Sequence, residues 1–175
     1  MEFADFEFNW QGIDVGNNSV PQLADINRDG TLDLVIGERT GNVNYLPNQG
    51  TPEVSSFHAN PDEAPNNFFF GKINTVTPTT PVGFSHPIVV DSGDAFNIFV
   101  GALSGELRRY GNIDENPDTE FILIDSEFGD FYVGDQTAPA IVDIDNDGEL
   151  EMFVGNARGG LSVFQTNLST SGMVP

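Results

Sequence analysis

The chain has 175 residues, of which 38% are hydrophobic and fifteen are phenylalanine, enough to fill the core of one folded domain. Its 27 acidic and 6 basic residues give a formal net charge of -21, which would repel phosphate backbones and anionic membrane surfaces, so we expect no nucleic-acid partner. No run approaches the roughly 18 apolar residues of a membrane span, and the absence of cysteine excludes disulfides and thiolate metal sites.

Three copies of one pattern follow each other along the chain. Residues 21–37 align without a gap with residues 139–155, and residues 87–101 between them keep both ends of the pattern in two fewer positions. Repeats at intervals of this size are typical of propellers, solenoids and arrays. Because the apolar runs are short and helix signals are nearly absent, we interpret these runs as β-strands.

Within each copy, the strands are predicted in the same order. One strand precedes the loop, a buried strand follows it, and a glycine-containing hairpin turn leads to a third strand. The buried strands are expected at 32–36, 98–100 and 152–154, the turns at 38–41, 102–105 and 156–159, and the third strands at 43–45, 107–110 and 161–164. Aromatic-rich outer strands are expected at 3–8, 67–70 and 120–124.

The sequence therefore predicts an all-β fold of about three four-stranded antiparallel β-propeller blades. We expect a single domain over residues 1–175, with approximate repeats at 17–80, 84–130 and 135–175 and with residues 1–16 as an outer strand of a neighbouring blade. Because propellers typically close with about 4 to 8 blades, we favour a fragment of a larger propeller. Edge-to-edge association of two copies is the second choice, and three open blades are the third.

Two of the copies carry an oxygen-rich loop, Asp-x-Asn-x-Asp-Gly-x-x-Asp in the first and Asp-x-Asp-x-Asp-Gly-x-x-Glu in the last. Calcium takes about six to eight oxygen ligands, and carboxylates at alternating positions of a tight loop can converge on one ion. We predict two calcium sites, in which Thr31 and Glu149 contribute backbone carbonyls. The side-chain ligands are expected to be Asp25, Asn27, Asp29 and Asp33 in the first loop and Asp143, Asp145, Asp147 and Glu151 in the second.

These loops differ from the helix-loop-helix calcium motif. An EF-hand needs a bidentate glutamate at its twelfth position, which here is Ile36 or Val154. The closing carboxylate is instead ninth, at the start of an apolar strand, so the ion would link two strands. The second loop has five carboxylates and no base, and we expect its folding to depend on calcium more than that of the first, where Arg28 intervenes.

The middle copy has a shortened loop. It offers only Asp91, Asp94 and Asn97 as oxygen ligands. Since this is fewer than calcium requires, we expect no ion there, although the strands of this copy can persist without metal.

The two acidic loops, the apolar runs after them, and the glycines Gly37 and Gly155 that end those runs resemble the FG-GAP or VCBS-type repeat. Residues 46–51, Leu-Pro-Asn-Gln-Gly-Thr, are also similar to that family. The resemblance spans nearly the whole chain and implies β-propeller blades like those of integrin α subunits, with calcium in the loop between the first two strands of a blade. It also implies extracellular proteins active in adhesion, recognition or glycan handling. Glu151 departs from the usual aspartate.

We therefore expect a calcium-binding, non-enzymatic segment of an extracellular or cell-surface protein that recognises a glycan or a protein. An accessory or catalytic part of a polysaccharide-degrading enzyme and a structural spacer are the alternatives. The sequence contains no nucleophile elbow or phosphate-binding loop, and no catalytic carboxylate pair can be singled out. Five aromatic residues could stack on a sugar if exposed, although core positions are the preferred interpretation: Trp10, Tyr45, Tyr110, Phe131 and Tyr132.

Overall fold

The computed structural model describes residues 6–92, 95–114, 118–128 and 132–169, and within these ranges the protein is all-β. The described ranges contain ten strands: β1 (Val20–Ala24), β2 (Asp33–Gly37), β3 (Val43–Leu46), β4 (His86–Asp91), β5 (Phe96–Gly101), β6 (Leu107–Gly111), β7 (Ile122–Asp125), β8 (Ala138–Val142), β9 (Glu149–Gly155) and β10 (Leu161–Ser169). Two short 3-10 turns occur at Trp10–Gly12 and Phe70–Lys72. The described ranges contain no helix that is long and apolar enough to cross a membrane.

The strands form three antiparallel sheets: the first contains β1, β2 and β3, the second β4 to β7, and the third β8, β9 and β10. In all three sheets the first two strands pair in the same register. His86 lies opposite Gly101, and the equivalent pairs are Val20 with Gly37 and Ala138 with Gly155. The predicted order of strands and the predicted hairpin turns are confirmed, because the apolar runs of the three copies determine the same pairing.

Only the second sheet has the predicted four strands. Beside β3, two isolated bridges, Asn42 with Asn74 and Tyr45 with Asn67, take the place of an outer strand. The strand expected at 67–70 is wrong because Phe70 turns inward: its side chain is fully buried and stacks on Tyr45, with 4.7 Å between the ring centroids. Of the outer strand expected at 3–8, residues 6–8 form no strand and the rest lies outside the described residues.

The sheets pack face to face in chain order. Val35 of the first sheet and Ile98 of the second belong to one buried core. Phe99, on the opposite face of the second sheet, belongs to another core with Met152 of the third sheet. The remaining face of the first sheet is covered by the N-terminal segment, where Val15 packs. The second sheet therefore presents one face to the first sheet and the other to the third.

Two glycines allow this close packing. A Cβ atom added to Gly37 would overlap the carbonyl oxygen of Ser85, and one added to Gly101 would overlap the carbonyl oxygen of Thr137. Glycine ends the second strand of these sheets because the backbone of the next repeat comes within contact distance there. At the equivalent Gly155, the nearest atom to an added Cβ would be 3.9 Å away.

A pair of hydrogen bonds joins each sheet to the next. Ser85 accepts a bond from the Glu38 amide at its hydroxyl (2.9 Å) and donates its own amide to the Glu38 carbonyl (3.0 Å). Thr137 repeats the arrangement with Ala102, at 3.0 Å and 3.1 Å. Both hydroxyl-bearing residues are fully buried, so the junctions between successive repeats are closely alike.

The third sheet has an open apolar face, on the side where Gly155 lies. Leu161 is opposite Gly155, Val163 is opposite Phe153, and Val142 is opposite Glu151, so these side chains share one face. Leu161 is 65% exposed, Val163 53% and Val142 48%. In the first two sheets the equivalent face is covered by the following sheet.

Candidate metal centres

The two acidic loops have left-handed residues at the same two positions. One joins β1 to β2, and the other joins β8 to β9. Arg28 and Asn146 have φ angles of 56° and 61°, and Gly30 and Gly148 have φ angles of 88° and 92°. Left-handed conformations at the same two positions turn both loops sharply, as the glycine in each pattern predicts.

The first carboxylate of each loop holds this turn together. Asp25 accepts hydrogen bonds from the Asp29 amide (3.0 Å) and the Gly30 amide (2.9 Å). Asp143 accepts the equivalent bonds from the amides of Asp147 (3.2 Å) and Gly148 (3.0 Å). The carboxylate is thus fixed at the centre of its own loop, with lone pairs remaining for a cation.

The closing carboxylate of each loop comes from the following strand. Asp33 accepts a bond from the Ile26 amide (3.1 Å), and Glu151 accepts the matching bond from the Ile144 amide (3.0 Å). The carboxylate of the ninth residue in each pattern is therefore bound to the backbone amide of the second residue. This brings the end of the loop to its beginning, as the spacing predicted.

Asp33 is fully buried and has two further partners. The Tyr45 hydroxyl lies 3.0 Å from its Oδ2, and the Asn48 amide lies 2.8 Å from its Oδ1. Burial nevertheless raises the pKa of Asp33, because the loss of solvent outweighs these hydrogen bonds. A buried carboxylate in this state is stabilised by a nearby cation.

The second loop brings three carboxylates to one point. One oxygen from each of Asp143, Asp145 and Glu151 lies within 4.8 Å of the others. Two oxygens bound to one calcium ion at about 2.3 to 2.6 Å can be at most about 5 Å apart, so this trio fits a single ion. The Gln165 side chain donates a 2.6 Å bond to Oε1 of Glu151, whereas the Ile144 amide binds Oε2. These two bonds orient the Glu151 carboxylate. An all-oxygen donor set suits hard divalent cations, among them calcium, magnesium and manganese.

The fifth residue of each pattern does not join such a trio. Asp29 accepts bonds from the Thr31 amide (2.8 Å) and hydroxyl (2.6 Å), and these bonds lower the pKa of Asp29. Asp147 accepts the Glu149 amide at 2.8 Å. Among the described residues, the carboxylates of the first loop do not form a trio like that of the second. The carbonyl roles of Thr31 and Glu149 stay predictions.

Asn27 takes the place in the first loop that Asp145 has in the second. Its side-chain oxygen accepts the Asp29 amide at 3.0 Å, and Asp145 accepts the Asp147 amide at 3.3 Å. The two loops therefore differ in charge at an equivalent position. With five carboxylates in the second loop, its electrostatic demand for a cation is the larger.

In the middle repeat, arginine side chains contact the residues that align with predicted metal ligands. Asp91 aligns with Asp25 and is bound by Arg28 at 3.0 Å. Asn97 aligns with Asp33 and accepts a 3.0 Å bond from Arg109. Sequence reasoning missed both contacts, because they join residues from different loops or strands, although the alignment itself located Asp91 and Asn97.

The aromatic candidates divide into two groups. Tyr45 and Tyr110 are buried in the core, as expected. Trp10 and Tyr132 are 42% and 56% exposed, so the core assignment is wrong for these two residues. Phe131 lies outside the described residues, as does Asp94 of the middle loop.

No protein-family model, curated protein or solved structure matches this chain. The resemblance to FG-GAP or VCBS-type repeats therefore rests on the residues of the chain itself. The equivalent loops and junctions described above are consistent with internal repetition and do not assign the chain to a family.

Proposed function

We propose that this chain is a calcium-binding, non-enzymatic segment of a β-propeller in an extracellular or cell-surface protein, and that it serves adhesion or recognition of a glycan or protein. The observation that carries the proposal is the convergence of Asp143, Asp145 and Glu151 within 4.8 Å. Calcium in this loop would link β8 to β9 and neutralise charge that opposes folding. The first loop, with left-handed residues at the same positions and equivalent hydrogen bonds at its first and closing carboxylates, is proposed as the second site.

The packing of the sheets supports the propeller part of the proposal. The first strands of successive sheets are neighbours, with β1 beside β4 and β4 beside β8, as expected for inner strands around a common axis. The open face of the third sheet has the apolar side chains and the uncrowded glycine that a further sheet of this kind would cover. We therefore favour a segment of a larger propeller, with closure by a second copy as the alternative.

Thermal unfolding with calcium or with EDTA tests the metal sites. A ligand that binds only the folded state stabilises it by mass action, so millimolar calcium is expected to raise the unfolding midpoint by several degrees, about 4 °C or more. Magnesium at the same concentration is the control, and it should have a smaller effect because it requires octahedral geometry. An unchanged midpoint in calcium would contradict the proposal.

The recognition function is tested separately, with neutral and acidic glycans incubated with the protein in calcium. Binding without release of sugar is the expected result if this segment is a recognition module. Release of sugar from any of the glycans would contradict the non-enzymatic assignment.

A further inference from the structure

A cavity of about 350 Å³ lies beside the first loop, outside the predicted metal ligands. Its walls are mainly apolar and include Trp10, Leu23, Leu32, Pro52 and Phe57. Leu23 and Leu32 are each 53% exposed and Trp10 is 42% exposed, so large apolar surfaces remain accessible there. Concave apolar sites of this size are typical of small-ligand or side-chain binding.

Hydrogen bonds hold the wall that contains Trp10. The side chain of Gln11 donates to the Ser55 carbonyl (3.1 Å) and accepts from the Phe57 amide (2.7 Å). The Trp10 ring also contacts Phe57 edge to face, with 5.6 Å between centroids. The cavity is therefore formed before any ligand arrives, which reduces the entropic cost of binding.

Asn48 connects the cavity to the first loop. Its side-chain oxygen accepts bonds from the amides of Gly50 (2.9 Å) and Ser56 (3.0 Å), which fixes the segment whose lining residues are Thr51, Pro52, Ser55 and Phe57. Its own amide donates to Asp33 at 2.8 Å, and its side-chain nitrogen donates to the Leu32 carbonyl at 3.3 Å. One residue thus contacts both the closing carboxylate of the loop and two walls of the cavity.

The rim of the cavity is acidic. Glu53 accepts a 3.1 Å bond from the hydroxyl of Thr51, a lining residue, and Gly30, which also lines the cavity, donates its amide to Asp25. Arg28 is the only Lys or Arg within two positions of a lining residue, and its guanidinium binds carboxylates of the middle repeat. With a chain charge of -21, this rim attracts cations and repels anions.

We propose that this cavity binds a large apolar side chain of a peptide segment whose neighbouring residues are lysine or arginine. The apolar walls would cover the side chain, and the acidic rim would select the flanking charges. This inference rests on the proposed recognition function and names its ligand class.

The test uses the fluorescence of Trp10, the only tryptophan in the chain. Titration of the whole chain in calcium with the peptide acetyl-Lys-Leu-Lys-amide is expected to give a saturable change in emission. Acetyl-Lys-Ala-Lys-amide lacks the large apolar side chain, and acetyl-Glu-Leu-Glu-amide reverses the flanking charges. Both control peptides should bind at least about tenfold more weakly.

Exposed-residue variants check that the signal comes from the cavity. Leu23→Ser is expected to weaken binding of the Lys-Leu-Lys peptide by about fivefold or more. Glu53→Gln is expected to weaken it by about two- to fivefold. Val54→Ser is the matched control, because Val54 is 70% exposed and does not line the cavity. A calcium-induced rise of the melting midpoint in the same samples reports the metal sites independently of the cavity.

Several results would overturn the inference. Equal responses to the three peptides, no response to any, or full binding by Leu23→Ser would exclude the cavity as the proposed peptide site. Quenching by a neutral oligosaccharide without a response to peptides would assign it to carbohydrate instead. If the peptide result fails while calcium still raises the melting midpoint, the proposed metal sites stand and the cavity assignment is wrong.

Discussion

Arg28 Nη1 lies 3.0 Å from Asp91 Oδ2, although 63 residues separate them in the chain. The same guanidinium lies 2.9 Å from Asp114 and 4.2 Å from the ring centroid of Phe96. Arg28 belongs to the first acidic loop, whereas its partners belong to the middle repeat. The Arg28 guanidinium thus contacts Asp91, which aligns with the predicted metal ligand Asp25 and belongs to the repeat with the shortened loop.

Replacing Arg28 with methionine is expected to lower the free energy of unfolding by about 1 to 2 kcal/mol, through loss of two ion pairs and one cation–π contact. The expected loss is modest because the Arg28 side chain is 43% exposed and solvent weakens its ion pairs. Chemical denaturation in EDTA measures the change without calcium. The loss should be smaller in 1 M salt, which screens exposed ion pairs.

Arg39→Met is the control for this substitution. Arg39 forms no ion pair with a described residue and lies 6.0 Å from the Phe84 ring centroid. Arg39→Met should change the free energy of unfolding by less than about 0.5 kcal/mol. Equal losses for the two variants would show that the bridge to Asp91 contributes nothing specific.

The junction glycines provide a second prediction. Gly37→Ala and Gly101→Ala should each destabilise the fold by about 1 to 3 kcal/mol or more, because the added methyl group would overlap a carbonyl oxygen of the next repeat. Gly155→Ala makes the same chemical change at the equivalent position, where the nearest atom is 3.9 Å away, and should be nearly neutral. Denaturation midpoints of the three variants compare them directly. A loss for Gly155→Ala as large as the other two would contradict the open face of the third sheet.

The third prediction concerns the buried hydroxyl of Thr137, at the junction between the second and third sheets. Thr137→Val keeps the shape of the side chain but leaves the Ala102 amide without the hydroxyl that accepts its 3.0 Å bond. A buried unpaired donor costs about 1 to 3 kcal/mol, so thermal unfolding should occur several degrees lower. Thr79→Val, at an exposed hydroxyl, serves as the comparison. If both variants unfold at the wild-type temperature, the hydrogen-bonded junction does not contribute to stability.

The sequence predicted the parts of this structure that depend on local pattern. The apolar runs at 32–36, 98–100 and 152–154 lie within the described second strands of their sheets, except for Leu32, which precedes β2. The positions of Gly30 and Gly148 predicted the two sharp turns, because few other residues adopt their φ angles. These features follow from periodicity of two and from glycine conformation, both of which can be read along the chain.

Features that depend on distant contacts were missed. The strand expected at 67–70 does not form because Phe70 packs on Tyr45 and Phe121, a choice that residues near it in sequence do not determine. Gln11, next to the exposed Trp10, forms hydrogen bonds with residues 44 and 46 positions away. The contact between the Asn48 amide and Asp33 was also missed, because it joins residues 15 positions apart. Asparagine in a loop more often indicates a local turn.

The central claim is that the two acidic loops bind calcium, and calorimetric titration of the EDTA-treated chain with calcium tests it most directly. We expect two calcium ions per chain, with Asp143→Asn and Asp25→Asn each abolishing one site or weakening it by at least about tenfold. Asp62→Asn, at an exposed position away from both loops, should bind as the wild type does. Wild-type protein without a heat of binding at millimolar calcium, or binding that both loop variants leave unchanged, would contradict the account.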